Sequence, residues 1–155
     1  SGCQISDFRL RVTSKDTGSK RSHDRPRTTN TLHAAITFST EEYAQRIMGE
    51  LFGFGVIKGF DVGTELCQTL FDFDRGARLI QYDAGDAAIE VFIDPDRPTP
   101  RGRFDHLCFE VDEMDAFLDR AASMGLEVRR FFTGTKDVVF LCDEDANLYE
   151  IKPKT

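Results

Sequence analysis

Two of the chain's three histidines occupy equivalent positions in two similar stretches of sequence. His33 opens the run HAAITF and His106 opens the run HLCFEV, and in both runs apolar residues alternate with others, which predicts β-strands. Because alternate side chains of a strand share a face, His33 should share a face with Ala35 and Thr37, and His106 with Cys108 and Glu110. The third histidine, His23, lies in a polar segment and is interpreted as solvent-exposed. The equivalence of the two strands predicts an internal repeat with a shared chemical role.

A glutamate lies in the last strand-like run of each half. Glu90 stands in AAIEVFI and Glu150 in NLYEIKP, each between apolar residues that face the other side of the strand. A carboxylate directed inward needs a cation, because an unpaired buried charge is costly. Two imidazoles and two carboxylates from four strands form a mixed nitrogen and oxygen ligand set that suits Ni²⁺, Co²⁺, Zn²⁺ or Mn²⁺. We therefore predict that His33, Glu90, His106 and Glu150 bind one divalent ion, which would act as a Lewis acid on a substrate.

Each histidine strand precedes an amphipathic helix. The first is predicted to start at a Ser39 cap and to end near Gly53, and the second to start at an Asp112 cap and to end at Gly125. Further strand-like runs follow at 56–62, 66–73, 79–82 and 88–93 in the first half and at 127–132, 138–142 and 148–152 in the second. The first half thus has one run more than the second, and the pattern does not say where it belongs.

The composition predicts a soluble globular protein, with 40% hydrophobic and 30% charged residues. No apolar run approaches the roughly 20 residues that a membrane helix needs, so no membrane association is expected. The four cysteines lie far apart without a Cys-X-X-Cys pair, and no apolar signal segment opens the sequence. These features predict reduced cysteines and a cytoplasmic location.

The net charge of −7 is unevenly distributed. Residues 1–29 carry seven Lys or Arg against three Asp, a net of +4, which leaves −11 for the remainder. An acidic body repels phosphates, so nucleic acid is not expected as a partner. We interpret residues 1–29 as a polar, basic N-terminal extension in which 8–12 forms a short strand against a sheet edge or a partner chain.

These motifs resemble the vicinal oxygen chelate superfamily, which groups glyoxalases, bleomycin resistance proteins and dioxygenases, over residues 32–153. The resemblance rests on the strands TLHAAITF and FDHLCFEV, the helix MDAFLDRAASMGLEV and the closing segment VVFLCDEDANLYEI. That segment is similar to the family's Asp-Pro-Asp-Gly-Asn hairpin, with Glu144 and Ala146 in place of Pro and Gly. The resemblance implies an α+β domain over 30–155. Its two βαβββ modules, 31–94 and 103–153, would form a curved, mostly antiparallel sheet around a metal cleft, with the helices on the outer face.

The ligand order His, Glu, His, Glu resembles that of glyoxalase I, whereas methylmalonyl-CoA epimerase typically has Gln at the second position. The resemblance implies a metal-dependent lyase or isomerase that acts next to a carbonyl through a metal-chelated enediolate. Glu150 is the first choice for the residue that moves the proton and Glu90 the second.

The substrate should differ from that of glyoxalase I, which usually holds glutathione with an Arg on the first strand and an Asn after the second ligand. This chain has Thr37 and Asp94 at those positions, so glutathione specificity is not expected. An anionic small molecule is expected instead. The candidate substrate-binding residues are Thr37, Cys108, Arg103 and Lys152.

Several alternatives stay open. Within the superfamily they are an acyl-CoA epimerase, an enzyme that transfers a thiol to an epoxide antibiotic, and an iron dioxygenase. The alternative of another class is a non-catalytic protein that sequesters a drug. Open sheet edges in paired modules predict a homodimer in either case.

Overall fold

The computed structural model describes residues 31–98, 102 and 104–155, which lie in one compact unit, Thr31–Thr155. Arg103 and the extension 1–29, with its predicted strand 8–12, lie outside the described residues. The described residues form two four-stranded sheets. In spatial order, the first sheet contains β1 (His33–Phe38), β4 (Ala88–Ile93), β3 (Ala77–Asp83) and β2 (Gly55–Val62), and the second contains β5 (Leu107–Val111), β8 (Leu148–Pro153), β7 (Asp137–Cys142) and β6 (Glu127–Phe132).

The two sheets repeat one topology. In each, the first strand pairs in parallel with the last, and the other two pairings are antiparallel. This confirms the predicted α+β fold of two similar modules with mostly antiparallel pairing.

The described part of the chain also contains three helices. They are α1 (Glu41–Ala44), which continues into a π-helical segment (Gln45–Leu51), α2 (Thr64–Phe71) and α3 (Met114–Ser123). Within residues 31–98, 102 and 104–155, no helix has the length and apolar character needed to cross a bilayer.

The helix boundaries differ slightly from those predicted. Thr40 caps α1 instead of Ser39, because its hydroxyl accepts a hydrogen bond from the Tyr43 amide at 3.1 Å. Glu113 occupies the N-cap position of α3 instead of Asp112, whose carboxylate lies 3.2 Å from the ammonium of Lys154. The predicted ends are close, since Gly53 and Gly125 follow the helices with positive φ angles of 77° and 91°.

The prediction of a strand at 66–73 is wrong, because this segment forms most of α2. Its buried residue is Cys67, whereas Leu66 and Leu70 face outward. The helix ends at Asp72, which adopts the left-handed conformation with φ of 53°. Cys67 packs with Val62 and Leu79 in a small cluster on the face of the first sheet that also carries His33. The additional run of the first half is therefore a helix laid over that face.

A single core lies on the other face of both sheets. It combines side chains of the π-helical segment and α3 with side chains from the middle strands of each sheet. Its largest fully buried members are Phe38, Ile47, Met48, Leu51, Tyr82, Val91, Val139, Leu141 and Tyr149. Because successive strand residues point to opposite faces, this core directs the faces of His33 and His106 away from itself.

The turn between β7 and β8 connects the two modules. The amide of Asn147, which is 2% exposed, donates to the carbonyl of Thr37 and to the carboxylate of Asp143, both at 3.1 Å. The carboxylate of Asp145 accepts a hydrogen bond from the Ser39 amide at 2.7 Å. Burial raises the pKa of Asp143, although hydrogen bonds from Tyr149 and Asn147 oppose that rise. These buried and partly buried bonds fix the end of β1 against the second module.

Ala146 shows how this turn is made without the glycine of the family motif. Its φ is 60°, in the left-handed region that costs an L-residue roughly 1–2 kcal/mol. Replacing Ala146 with Gly should therefore raise the free energy of unfolding by about 0.5–1 kcal/mol, the relieved strain less the added entropy of the unfolded chain. Urea denaturation followed by circular dichroism measures the change.

Ala122→Gly is the matched control, because Ala122 is exposed in the last turn of α3, where glycine should lower stability by up to about 1 kcal/mol. Equal destabilisation by both substitutions would show that position 146 is not strained.

Candidate metal centre

The first module brings His33 and Glu90 together. The parallel pairing of β1 and β4 places Ala35 opposite Glu90. His33 lies two residues before Ala35, on the same face of the sheet. The Nε2 atom of His33 lies 3.5 Å from Oε2 of Glu90. The other carboxylate oxygen, Oε1, accepts a hydrogen bond from Nε2 of Gln81 at 3.3 Å. The Glu90 side chain is 19% exposed, so it is partly shielded from water.

The second module places His106 and Glu150 in the same relation. The Nε2 atom of His106 lies 3.6 Å from Oε2 of Glu150. The Nδ1 atom of His106 lies 2.7 Å from the carbonyl oxygen of Phe104, and this contact requires the proton to be on Nδ1. In the neutral ring Nε2 then carries a lone pair, so two acceptors face each other across the gap. A cation between them would satisfy both atoms.

Glu150 also contacts groups that have no counterpart beside Glu90. The ammonium of Lys152 lies 3.4 Å from Oε2, and Cys108 is the strand partner of Glu150. Burial would raise the pKa of Glu150, but the Cys108 thiol, the Lys152 ammonium and His106 together lower it. Burial and the neighbouring Glu150 raise the pKa of Cys108, so this cysteine remains a neutral thiol at neutral pH.

The four predicted ligands form two pairs within one chain and are not gathered into a single group. Among residues 31–98, 102 and 104–155, no three His, Cys, Asp or Glu side chains lie close enough together to bind one metal ion. Each pair nevertheless has the spacing of two ligands on a common ion. Ligand atoms about 2.0–2.2 Å from a metal lie roughly 2.8–3.6 Å from each other at angles of 90–110°.

The predicted substrate-binding residues fall in both modules. Cys108 and Lys152 lie beside Glu150, as described above. Thr37 lies on the face of His33 and lines a cavity of about 210 Å³ together with His106, Arg97 and Asn147. Arg97 is engaged in structure, since its guanidinium donates to the carbonyl of Thr37 and to the amide oxygen of Asn147.

Sequence reasoning missed a second, apolar cavity of about 250 Å³ on the His33 face of the first sheet. Its lining residues include Thr37, Cys67, Phe71, Phe73, Ala77 and Phe92. The four-residue spacing of Cys67 and Phe71 is compatible with a helix, but a short apolar run fits a strand as well, so the sequence alone did not reveal the cavity.

Comparison with known proteins agrees with this architecture. The family model described as the glyoxalase/bleomycin resistance protein/dioxygenase superfamily matches residues 30–151. The chain belongs to this superfamily. No curated relative matches the chain.

Solved structures of superfamily proteins share the fold at low sequence identity. A glyoxalase family protein from Enterococcus faecalis is 20% identical, with a TM-score of 0.61 over 80% of this chain and 97% of that chain. The fosfomycin resistance protein FosX from Mesorhizobium loti is 16% identical, with a TM-score of 0.58 over 84% and 94%. The trypanothione-dependent glyoxalase I of Leishmania major is 12% identical, with a TM-score of 0.60 over 81% and 87%.

The contact between Lys152 and Glu150 predicts how the second pair titrates. Replacing Lys152 with Met removes a positive charge that stabilises the ionised carboxylate, so the pKa of Glu150 should rise. A ¹³C NMR titration of the glutamate side-chain carboxyls measures the shift.

Lys154→Met serves as control, because Lys154 pairs with Asp112 and should leave the pKa of Glu150 unchanged. A Glu150 pKa that does not move in Lys152→Met would exclude the ammonium as a cause of its depression.

Proposed function

We propose that this chain is a metal-dependent lyase or isomerase of the glyoxalase type, which moves a proton on the carbon next to a substrate carbonyl. The observation that carries the proposal is the repeated pair, one imidazole nitrogen facing one carboxylate oxygen at 3.5 Å in the first module and 3.6 Å in the second. Membership of the superfamily supports it, because the superfamily includes proteins named as glyoxalase I.

His33, Glu90, His106 and Glu150 would hold one Ni²⁺, Co²⁺, Zn²⁺ or Mn²⁺ ion. Neutral imidazole and carboxylate are the ligand types that these borderline ions accept. A bound ion of this kind would act as a Lewis acid and would stabilise the negative charge that develops when the proton leaves the carbon next to the carbonyl.

A complete ligand set requires two copies of the chain. The shared core occupies the inner faces of both sheets, and the two His–Glu pairs lie on their other faces. A two-fold homodimer would place the first module of one copy against the second module of the other, and symmetry would then create two equivalent sites. This arrangement explains why the pairs are built alike and yet stay separate in one chain.

The side chains around the pairs suggest how the substrate is handled. Glu150 is our first choice for the proton acceptor, since its lowered pKa keeps it ionised, and Glu90 is the second. The Lys152 ammonium would attract an anionic substrate group, while Thr37 and Cys108 line the surface near the pairs. Arg103, outside the described residues, remains a candidate for the same anionic group.

The cysteines support a reducing environment. Cys67, Cys108 and Cys142 are free thiols in the described part of the chain. We therefore extend the proposal to a cytoplasmic setting, in which such thiols remain reduced.

The apolar cavity favours a second candidate of another class, a non-catalytic protein that sequesters an apolar drug. Such a protein has no need of the paired ligands. The metal content of protein purified without added ions therefore separates the two candidates.

Mixing two inactive variants tests the shared site. His33→Ala and His106→Ala should each bind Zn²⁺ at least tenfold more weakly, because each lacks one of four ligands. In a heterodimer of the two variants, one site would combine an intact first module with an intact second module. Mixed protein should then recover tight binding of one ion per dimer, as measured by mass spectrometry of the native complex.

Two outcomes would contradict this arrangement. Tight binding by either variant alone would exclude that histidine as a ligand. Failure of the mixture to recover a site, with heterodimers shown to be present, would exclude ligands shared between copies.

Glu150→Gln tests the proton transfer. The variant keeps the size of the side chain but removes the base, so exchange of the substrate's acidic hydrogen in D₂O should slow by about 10²–10⁴-fold. The exchange is followed by NMR with a hemithioacetal and with a 2-methyl-branched acyl-CoA, the latter testing the alternative epimerase activity.

Glu110→Gln is the matched control, since Glu110 on β5 is exposed on the same face of the second sheet as Glu150 and its substitution is expected to leave exchange unchanged. Undiminished exchange in Glu150→Gln would transfer the role to Glu90.

A further inference from the structure

Helix α2 distinguishes the first module from the second. It is inserted between β2 and β3, whereas α3 precedes β6 and no helix separates the strands that follow it within residues 127–155. Unlike α1 and α3, which contribute to the shared core, α2 packs through Cys67 on the face that carries His33 and Glu90. The helix thus lies on the side of the sheet where a substrate would bind.

The cavity beneath α2 has mainly apolar walls. The ring of Phe71 on α2 packs edge-on against Phe92 on β4, with 5.5 Å between centroids. The guanidinium of Arg75 lies over the ring of Phe73, 4.6 Å from the ring centre. Arg75 also forms an ion pair with Asp94 at 2.5 Å. Because Arg75 and Asp94 neutralise each other at the rim of the cavity, the remaining lining is suited to apolar groups.

The cavity lies next to the first His–Glu pair. Ala35 lines the cavity and is the direct strand partner of Glu90. The next pair on the same face, Thr37 and Phe92, lines the cavity too. Two residues along a strand correspond to roughly 7 Å, so a molecule held at His33 and Glu90 reaches the cavity with a short extension.

We propose that this cavity is a substrate subsite that takes an apolar substituent of about six to ten carbon atoms. The size follows from the volume of about 250 Å³, compared with the roughly 150 Å³ of a cavity that accepts benzene. The inference rests on the proposed function for the reacting end of the substrate, which it places at His33 and Glu90. The substrate would then carry an oxygen-rich, metal-binding end and a hydrophobic tail, and α2 would select the tail.

One experiment examines the cavity without metal. Toluene is added to metal-free protein with ¹³C-labelled alanine methyl groups, and the NMR signals are followed. The signals of Ala35 and Ala77, which line the cavity, should shift, whereas that of the exposed Ala122 should not. Ala77→Leu fills the cavity and should remove the shift at Ala35.

A second experiment links the cavity to the reacting end. Zinc-loaded protein is titrated by calorimetry with acetohydroxamate, hexanohydroxamate and octanohydroxamate, which present two oxygens and tails of increasing length. Affinity should rise about fourfold for each methylene that enters the cavity, and at least tenfold from the shortest to the longest ligand. Ala77→Leu should abolish this rise and leave acetohydroxamate affinity unchanged.

Two variants of α2 separate an effect on the cavity from a general effect on folding. Phe71→Ala removes part of the cavity lining and should weaken the binding of octanohydroxamate. Leu70→Ala should leave that binding unchanged, because Leu70 lies on the same helix but is 66% exposed and does not line the cavity. Circular dichroism confirms that all variants are folded.

The outcomes separate this inference from the proposed function. Zinc and acetohydroxamate binding with no dependence on tail length would overturn the subsite and keep the metal site. Toluene binding without any hydroxamate binding would refute the metal site, and with it the assignment of the cavity to a substrate.

Discussion

The position of the hydrophobic core decides where chemistry can occur in this chain. One core packs both helix-covered sheet faces together, with Tyr82, Leu141 and Tyr149 among its fully buried side chains. Because successive side chains of a strand point to opposite faces, every second residue lies on the face away from the core, and the His–Glu pairs lie on that face. Exchanging the faces would put an imidazole and a carboxylate into the core, where their desolvation would cost several kcal/mol. The same packing that stabilises the fold therefore presents both pairs outward.

The repeated module was predictable because its signals are local. Period-two runs with a histidine, helices with apolar stripes and glycine stops each arise from a few neighbouring residues, and the structure reproduces them. Segment 66–73 was misread because a short apolar run fits either a strand or a helix. Only its packing through Cys67 onto the sheet decides between them.

The candidate site was predictable only in part, for a different reason. Pairing of His33 with Glu90, and of His106 with Glu150, follows from the parallel contact of the first and last strand in each module. Whether the two pairs meet depends on the arrangement of the sheets, and possible contacts with a second copy are not encoded in any local pattern. The alternation of side chains therefore predicted the members of each pair but not their assembly.

The two modules share a scaffold and differ in their electrostatic surroundings. Glu90 receives a neutral amide from Gln81, whereas Glu150 lies beside the Lys152 ammonium. Glu150 therefore has a positive neighbour on its own sheet, whereas the corresponding neighbour of Glu90 is a neutral amide. Under the proposed function, both pairs would contribute ligands to the ion, and the pair beside Lys152 would also attract an anionic group.

The acidity of the chain makes such local charge important. Residues outside the extension 1–29 carry a net charge of −11, which would repel an anionic substrate in the surrounding solution. At 0.1 M ionic strength exposed charges are largely screened beyond about 10 Å, so distant acidic residues contribute little once the substrate has arrived. The ammonium of Lys152 lies well within that distance, 3.4 Å from the carboxylate of Glu150 on the same sheet, so its charge is little screened. Under the proposed function, selection of an anionic substrate would depend on this lysine and the bound ion, and the proposed subsite beneath α2 would add a selectivity that the acidic surface does not affect.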